Sequence, residues 1–298
     1  MDFLALSFEL RGLDAARAEA ACLALGAHAI TYSDAHDDAV LEPAPGEVRL
    51  WPTTRLQALY PADTDAATLG AGLARELGLE AGRIATQLLA GRAWEREWLR
   101  DFHARRFGQR LWVCPTHEQV HEPGAVVVRL DPGLAFGTGT HPSTALCLEW
   151  LDARFAPGAG TMPGASLVDY GCGSGVLGIA AAMLGCTRVD AFDIDPQALL
   201  ATAQNAAANG VGARLAVHAD AAQLPARTDV LVANILARTL CGLAAEFSAR
   251  VEAGGSILLA GILAEQAEAV ACVYASWFDI APCGEREGWV ALAGSRKS

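Results

Sequence analysis

Val-Asp-Tyr-Gly-Cys-Gly-Ser-Gly, residues 168–175, is the stretch that decides the fold. An apolar segment leads into Asp169, and glycines follow at alternate positions, Gly171, Gly173 and Gly175. Glycines let the chain turn out of a strand, let a ligand contact bare backbone and let the next helix pack closely on the sheet. The free amide groups at the start of that helix then face the ligand. The stretch therefore predicts a strand, a nucleotide-binding turn and a helix.

The glycine spacing alone leaves two cofactor classes open. Gly173, Gly175 and Gly178 also satisfy the Gly-x-Gly-x-x-Gly pattern of dinucleotide enzymes. Asp169 completes an Asp-x-Gly-x-Gly-x-Gly pattern that resembles S-adenosylmethionine-dependent methyltransferases. The resemblance implies that the turn holds a cationic methionine end, which a carboxylate suits. We therefore interpret Asp169, Gly171, Gly173 and Gly175 as residues that bind S-adenosylmethionine.

A second acidic residue, Asp193, comes at the end of the next predicted strand, residues 188–194. A carboxylate there can accept hydrogen bonds from both ribose hydroxyls, in NAD enzymes as well as in methyltransferases. Asp193 could instead cap the helix that opens at Pro196, but Asp195 is better placed for that role. Asp193 is predicted to bind a ribose. This favours a cofactor that contains a nucleoside, but it does not distinguish NAD from S-adenosylmethionine.

Composition narrows the class of protein. The chain has 298 residues, 52% of them hydrophobic and 19% charged, which suits two domains with a sizeable core. It has no apolar run of the roughly 18 residues that a membrane span requires, and its first residues lack a basic signal-peptide region, so we expect a cytoplasmic protein. The single lysine, Lys297, excludes a P-loop and an internal Schiff-base lysine.

Charge and cysteine usage bear on partners and metals. The net charge of −12 and the lack of a basic run disfavour direct modification of nucleic acid. An acidic protein attracts a basic protein substrate, although surface acid also maintains solubility. The eight cysteines include no Cys-x-x-Cys pair and no matching histidine spacing, which indicates reduced, mostly buried side chains and no metal site. Cys172, inside the glycine turn, is interpreted as packing rather than as a nucleophile.

The first part of the chain has a different pattern from the rest. Residues 1–91 alternate strand and helix patterns in the order βαββαβ, which predicts a small α+β ferredoxin-like domain, interpreted as a substrate-recognition domain. Residues 92–124 are interpreted as a linker helix and hinge. The helix is predicted to run to residue 110, with Trp94, Trp98 and Phe102 on one face.

Residues 125–298 alternate strands with Ala-rich helices. This alternation predicts an α/β domain with a doubly wound, seven-stranded sheet. The last two strand patterns flank Pro-Cys-Gly-Glu-Arg-Glu-Gly and predict an antiparallel hairpin, which is typical of the class I methyltransferase fold. The predicted strands are 166–170, 188–194, 214–219, 228–233, 256–262, 277–281 and 289–293.

Two further segments raise the resemblance from a fold class to a family. One is Leu-Asp-Pro-Gly-Leu-Ala-Phe-Gly-Thr-Gly-Thr-His-Pro-Ser-Thr, residues 130–144, and the other is Val-Ala-Asn-Ile-Leu-Ala, residues 232–237. Together with the glycine turn and Asp-Ile-Asp-Pro at 193–196, they resemble the PrmA family, whose members methylate ribosomal protein L11. The likeness spans nearly the whole chain, including the small N-terminal domain that, in the family, docks the substrate protein.

The resemblance implies an S-adenosylmethionine-dependent N-methyltransferase that modifies the N-terminal α-amine and lysine side chains of a large-subunit ribosomal protein. It places Thr144 and Gly171 against the cofactor, Asp193 on the ribose and Asn234 beside the methyl group. The family more often has Thr where this chain has Ser143, and both residues carry a side-chain hydroxyl group.

Asn234 is the one candidate catalytic residue. It ends an apolar strand at the edge of the sheet where ligands bind in such folds, and its carbonyl can orient an incoming amine. The position resembles the first residue of the Asn-Pro-Pro-Tyr motif of other amino methyltransferases, although Ile-Leu-Ala follows here. No general base is assigned, and His141 is interpreted as a contact at the start of a helix. The loop that contains Gly137 and Gly139 is predicted to close over the cofactor.

Two functions from other classes stay open at this point. An NAD-linked oxidoreductase would use the same glycines, but it should show a positioned proton donor near the sheet edge. A noncatalytic S-adenosylmethionine-binding regulator would keep Gly171 and Asp193 without needing Asn234 or residues 130–144. The presence of both favours an enzyme.

Overall fold

The computed structural model describes residues 2–36, 50–89, 103–130, 140–158 and 164–298. The chain forms two compact units, Met1–Arg100 and Asp101–Ser298. In the described part of the chain, no helix combines the length and the apolar character that crossing a membrane demands. Some predictions lie outside the described residues: the aromatic face on Trp94, Trp98 and Phe102, and the loop with Gly137 and Gly139.

The first unit contains a four-stranded antiparallel sheet. Its elements are β1 (Phe3–Glu9), α1 (Ala15–Ala24), β2 (Ala29–Asp34), β3 (Thr54–Pro61), α2 (Ala66–Leu77) and β4 (Ala85–Leu89). The strand order is β2-β3-β1-β4, and each neighbouring pair is antiparallel. Order and connectivity confirm the ferredoxin-like prediction. Both helices begin at an aspartate, Asp14 or Asp65, whose side chain accepts backbone N–H groups of the first turn.

Alternation of side chains along the strands builds the core of this unit. Leu56, Ala58 and Tyr60 of β3 are buried against the two helices, whereas Arg55, the residue before Leu56, is exposed. Successive side chains of a strand point to opposite faces of the sheet, so one face is covered and the other carries polar residues.

The second unit is built on a seven-stranded sheet. Its strands are β8 (Ser166–Tyr170), β9 (Arg188–Phe192), β10 (Leu215–His218), β11 (Thr228–Asn234), β12 (Val251–Leu263), β13 (Phe278–Arg286) and β14 (Trp289–Arg296). The order is β10-β9-β8-β11-β12-β14-β13. The first five are parallel, and β14 pairs antiparallel with both β12 and β13. The predicted doubly wound sheet and its closing hairpin are confirmed.

Helices cover both faces of this sheet. They are α3 (Pro142–Arg154), α4 (Val176–Leu184), α5 (Pro196–Ala208), α6 (Ala237–Arg250) and α7 (Ala267–Tyr274). Neighbouring residues of one strand enter different cores: Leu258 packs on one side of the sheet and Leu259 on the other, both fully buried. Burial on both faces explains why the strands read as continuous apolar runs.

A small three-stranded sheet corrects the prediction for residues 103–124. It comprises β5 (Arg105–Phe107), β6 (Leu111–Cys114) and β7 (Val126–Arg129), in the order β5-β6-β7. The predicted helix to residue 110 is wrong for the described residues 103–110, because they contain the strand β5. Phe107 of β5 pairs with Leu111 of β6, and both side chains are buried. Residues 115–123, which were interpreted as the hinge, lie between β6 and β7 inside the second unit.

Candidate active site

The carboxyl ends of the central strands open into a cavity of about 440 Å³. Ligands in open α/β sheets bind at this edge, where the chain order of the strands reverses. Here the reversal lies at β8, between β9 and β11. Four of the predicted site residues line the cavity: Gly171, Gly173, Asp193 and Asn234.

The glycine turn follows β8 and has a backbone that only glycine adopts easily. Gly171, Gly173 and Gly175 have φ angles of 81°, 54° and 80°. A Cβ atom at Gly171 would lie 2.4 Å from Cγ2 of Ile235, which lines the same cavity. Both the left-handed backbone and the close packing therefore exclude a side chain, and a ligand can contact the bare turn.

Asp169 lies behind this turn rather than in the cavity wall. It is 1% exposed, and its Oδ2 accepts the Gly178 N–H of α4 at 2.9 Å. Its Oδ1 has no hydrogen-bond partner among the described residues. The pKa of Asp169 is raised to about 7, chiefly by burial; the hydrogen bond from the Gly178 amide opposes this effect, and the charge of nearby Asp193 adds to it. The Asp169 side chain links the end of β8 to α4. Its contribution to cofactor binding stays a prediction.

Asp193 joins the two loops at the cavity edge. Its Oδ2 accepts the Gly173 N–H at 2.9 Å, and its Oδ1 accepts the Asp195 N–H at 3.0 Å. Asp195 is the residue that caps α5, since its side chain accepts the Gln197 N–H. Carboxylate oxygens have further acceptor capacity, so Asp193 can still receive two hydroxyl groups. Ribose binding by Asp193 stays a prediction that this geometry suits.

Asn234 ends β11 and is held from one side. Its Nδ2 donates to Oγ1 of Thr144 at 3.1 Å, and Thr144 is 1% exposed in the first turn of α3. This bond fixes the orientation of the amide group, and its carbonyl oxygen can accept a hydrogen bond. A Cβ atom at Gly261, where φ is 80°, would lie 2.5 Å from the Ile235 carbonyl oxygen. Gly261 thus lets β12 approach the main chain that carries Asn234.

His141 and Trp289 form another wall of the cavity. His141 is the N-cap of α3, and its Nδ1 accepts from the Ser143 backbone N–H and lies 2.7 Å from the Ser143 hydroxyl. The predicted contact at a helix start is confirmed. The ring meets Trp289 edge to face, with centroids 4.7 Å apart. Burial lowers the pKa of His141, which favours the neutral imidazole.

Several other residues that line the cavity were given no role from the sequence, among them Gly261, Trp289, Ile194 and Leu236. The isolated Gly261 in an apolar strand was a usable signal, because such a glycine often marks a close backbone approach. Ile194 and Leu236 are 87% and 56% exposed, although they are large and apolar. Exposed apolar side chains around a cavity indicate a surface that a ligand covers.

Cys172 is buried within the turn. Burial is the main cause that raises the pKa of its thiol, and the charge of nearby Asp169 adds to it. A thiol that stays protonated is a poor nucleophile. In the part of the chain that the structure describes, no three His, Cys, Asp or Glu side chains converge as metal ligands would.

The lining of the cavity has groups that would suit a nucleoside. It offers a carboxylate for hydroxyl groups, a side-chain-free turn for close contact, and apolar walls at Phe192 and Ile194 for a flat base. A volume of about 440 Å³ is within the range of small-molecule sites.

Comparison with known proteins identifies the family. The model of the family Ribosomal protein L11 methyltransferase (PrmA) matches residues 2–297. This chain belongs to the PrmA family. Proteins named Ribosomal protein L11 methyltransferase from Methylococcus capsulatus and Serratia proteamaculans are 50% and 46% identical, over 92% and 100% of both chains. The crystal structure of a ribosomal protein L11 methylase from Lactobacillus delbrueckii subsp. bulgaricus is 31% identical, with a TM-score of 0.58 over 66% of this chain and 100% of that chain.

Membership of the PrmA family makes the chain a methyltransferase. These relatives give no support to an NAD-linked oxidoreductase or to a noncatalytic regulator. The cavity at the carboxyl ends of β8, β9 and β11 is accordingly the candidate site of methyl transfer.

Proposed function

We propose that this enzyme transfers methyl groups from S-adenosylmethionine to amino groups of ribosomal protein L11, namely its N-terminal α-amine and lysine side chains. The observation that supports this most strongly is the identity of 46–50% with proteins of that name over at least 92% of the chain. The geometry of Asn234 supports the choice of an amine as acceptor.

The residues that would hold the cofactor are Asp193 and the backbone of Gly171 and Gly173. S-Adenosylmethionine supplies an activated methyl group on a positively charged sulfonium. Asp193 in the wall and Asp169 behind the turn are the carboxylates that would favour a positively charged ligand in this cavity. A nearby cation favours the ionised carboxylate and opposes the effect of burial on the pKa of Asp169.

Asn234 prepares the acceptor. The nitrogen of the amine must present a lone pair, and an α-amine with a pKa of roughly 7.7 to 8.0 is partly neutral at cellular pH, whereas a lysine at roughly 10.4 must first lose its proton. The Asn234 carbonyl accepts an N–H of the amine and so directs the lone pair. Thr144 fixes the opposite end of the same amide group at 3.1 Å. Such positioning accelerates the transfer, in which the N–CH3 bond forms as the S–CH3 bond breaks and S-adenosylhomocysteine leaves. With no side chain assigned as a base, the proton of the amine passes to solvent.

The first unit docks the protein substrate in this proposal. It contributes none of the residues that line the cavity in the described part of the chain. A small protein is larger than a cavity of this size, so it needs a separate surface to hold it while one amine enters.

The test is intact-mass spectrometry of purified ribosomal protein L11 after incubation with the enzyme and S-adenosylmethionine. We expect mass gains in steps of about 14 Da, and peptide mapping then assigns them to amines. A reaction with S-adenosylhomocysteine in place of the methyl donor is the control. No mass gain, in a sample where cofactor binding is confirmed by calorimetry, would contradict the proposal.

A further inference from the structure

One face of α5 carries three polar side chains at helical spacing: Thr202, Asn205 and Asn209, the last being the C-cap. Residues three, four and seven positions apart share a face of a helix. The rest of the helix is rich in alanine. Thr202 is fully buried, and a buried hydroxyl costs free energy unless it finds a partner.

Two of these side chains hold the glycine turn. Oγ1 of Thr202 donates to the Gly173 carbonyl at 3.0 Å, and Nδ2 of Asn205 donates to the Ser174 carbonyl at 2.9 Å. In a trans peptide the C=O and N–H groups point in opposite directions, so the Ser174 N–H points away from α5. The Gly173 N–H is bound by Asp193 in the cavity wall. Both ends of Gly173 are therefore fixed by side chains.

Packing around the turn is equally close. A Cβ atom at Gly175 would lie 2.8 Å from Oγ1 and Cγ2 of Thr202. Thr202 thus contacts the turn with its methyl group as well as with its hydroxyl. The two interactions can be separated, because valine keeps the methyl shape and lacks the hydroxyl.

The third side chain extends the same face to β7. Asn209 donates from Nδ2 to the Arg129 carbonyl and accepts the Arg129 N–H at Oδ1, both at 2.7 Å. It also donates to the Asn205 carbonyl at 2.8 Å. One helix face therefore binds the glycine turn and the end of β7 together.

We infer that Thr202 and Asn205 are positioning residues for the cofactor, and that they set its affinity by fixing the carbonyls of the glycine turn. The inference rests on the proposed function for the identity of the ligand. These side chains do not line the cavity; they act through the turn that does.

The experiment titrates the full-length protein with S-adenosylhomocysteine by calorimetry. Thr202→Val removes the hydroxyl, with its contacts to the Gly173 carbonyl and the Cys172 sulfur, and keeps the shape. We expect the affinity to fall about 5- to 30-fold. Thr202→Ser restores the hydroxyl and returns most of the affinity. Asn205→Ala weakens binding similarly, whereas Gln204→Ala, an amide on the exposed face of the same helix, leaves it unchanged.

Two further readouts separate positioning from stability. In methylation assays, Thr202→Val raises the KM for S-adenosylmethionine and leaves the KM for ribosomal protein L11 unchanged. If Thr202→Val and Asn205→Ala only lower the melting temperature of the free protein and leave the affinity unchanged, the inference is overturned. A wild-type protein that binds S-adenosylhomocysteine but does not methylate ribosomal protein L11 would overturn the proposed function alone; one that does not bind would overturn both.

Discussion

Helices cover one face of the sheet in the first unit and both faces in the second, and the two units also differ in what they bury. Among the described residues, the buried polar set of the first unit is Thr54, whereas the second buries Asp152, Asp169 and Asp190 together with several hydroxyl side chains. Burying a carboxylate costs free energy unless partners compensate. In the second unit one of these carboxylates, Asp169, lies behind the glycine turn of the candidate site. Four predictions test that difference.

The largest effect is expected from deleting residues 1–100. Methylation of ribosomal protein L11 should fall by about 10³-fold or more, because the docking surface is lost, while S-adenosylhomocysteine binds within about threefold of the full chain. The cut follows the division at Asp101; a cut after residue 110 would also remove β5. Full activity of the shortened chain would show that the first unit does not dock the substrate, and a cooperative thermal transition serves as the folding control.

Asn234→Ala should lower kcat by about 100-fold, because the amine loses the carbonyl that directs it. Affinity for S-adenosylhomocysteine should change less than about threefold, since the glycine turn and Asp193 are intact. The measurement is the pH-rate profile of variant and wild type with saturating cofactor. Equal rates across the pH range would remove Asn234 from the mechanism.

Gly171→Ala should weaken S-adenosylhomocysteine binding by about 30-fold. The new Cβ would lie 2.4 Å from Ile235, so the turn or the opposite wall must move. Gly254→Ala is the matched control, because its φ of 75° imposes a similar backbone strain where nothing lies within 4 Å. Calorimetry on both variants separates the two causes: similar losses in both would mean that the packing at the turn is unimportant.

The smallest effect concerns Asp169→Asn and pH. The folded pKa of about 7 exceeds the ordinary value, so the folded state holds a proton that the unfolded state has lost between about pH 4 and 7. Wild-type stability therefore falls as pH rises through this window, and the uncharged variant lacks that loss. The melting temperature of the variant relative to wild type should rise by about 3 °C from pH 5 to pH 8. If the melting temperatures of variant and wild type differed by the same amount at every pH, the raised pKa of Asp169 would be contradicted.

Local patterns made the strand, turn and helix at residues 166–184 predictable, because the glycines and the apolar runs specify them within a few positions. Asp193 and Asn234 could be placed at one edge because parallel strands end together. The strands at 105–114 could not be predicted in the same way. Gln109 and Arg110 depend there on Asp152, 43 and 42 positions away, which accepts their backbone N–H groups.

The residues that bind the glycine turn could not be predicted from the sequence either, because they contact it from a distant part of the chain. Thr202 and Asn205 read as an ordinary polar side of a helix, and their partners become visible only in three dimensions. Trp289 was predicted as part of a strand, yet its place against His141 follows from the antiparallel return of β14. Sequence spacing predicted elements and strand ends; contacts between distant elements required the structure.

The pairing of Asn209 with Arg129 has a consequence for association between molecules. β7 is an edge strand of its three-stranded sheet, and a free edge offers N–H and C=O groups to strands of other chains. Asn209 occupies one such N–H and C=O pair with a single side chain. The Asn209 amide thus occupies the place where a neighbouring strand would pair with Arg129, and we expect it to keep that position of the edge from pairing with another chain.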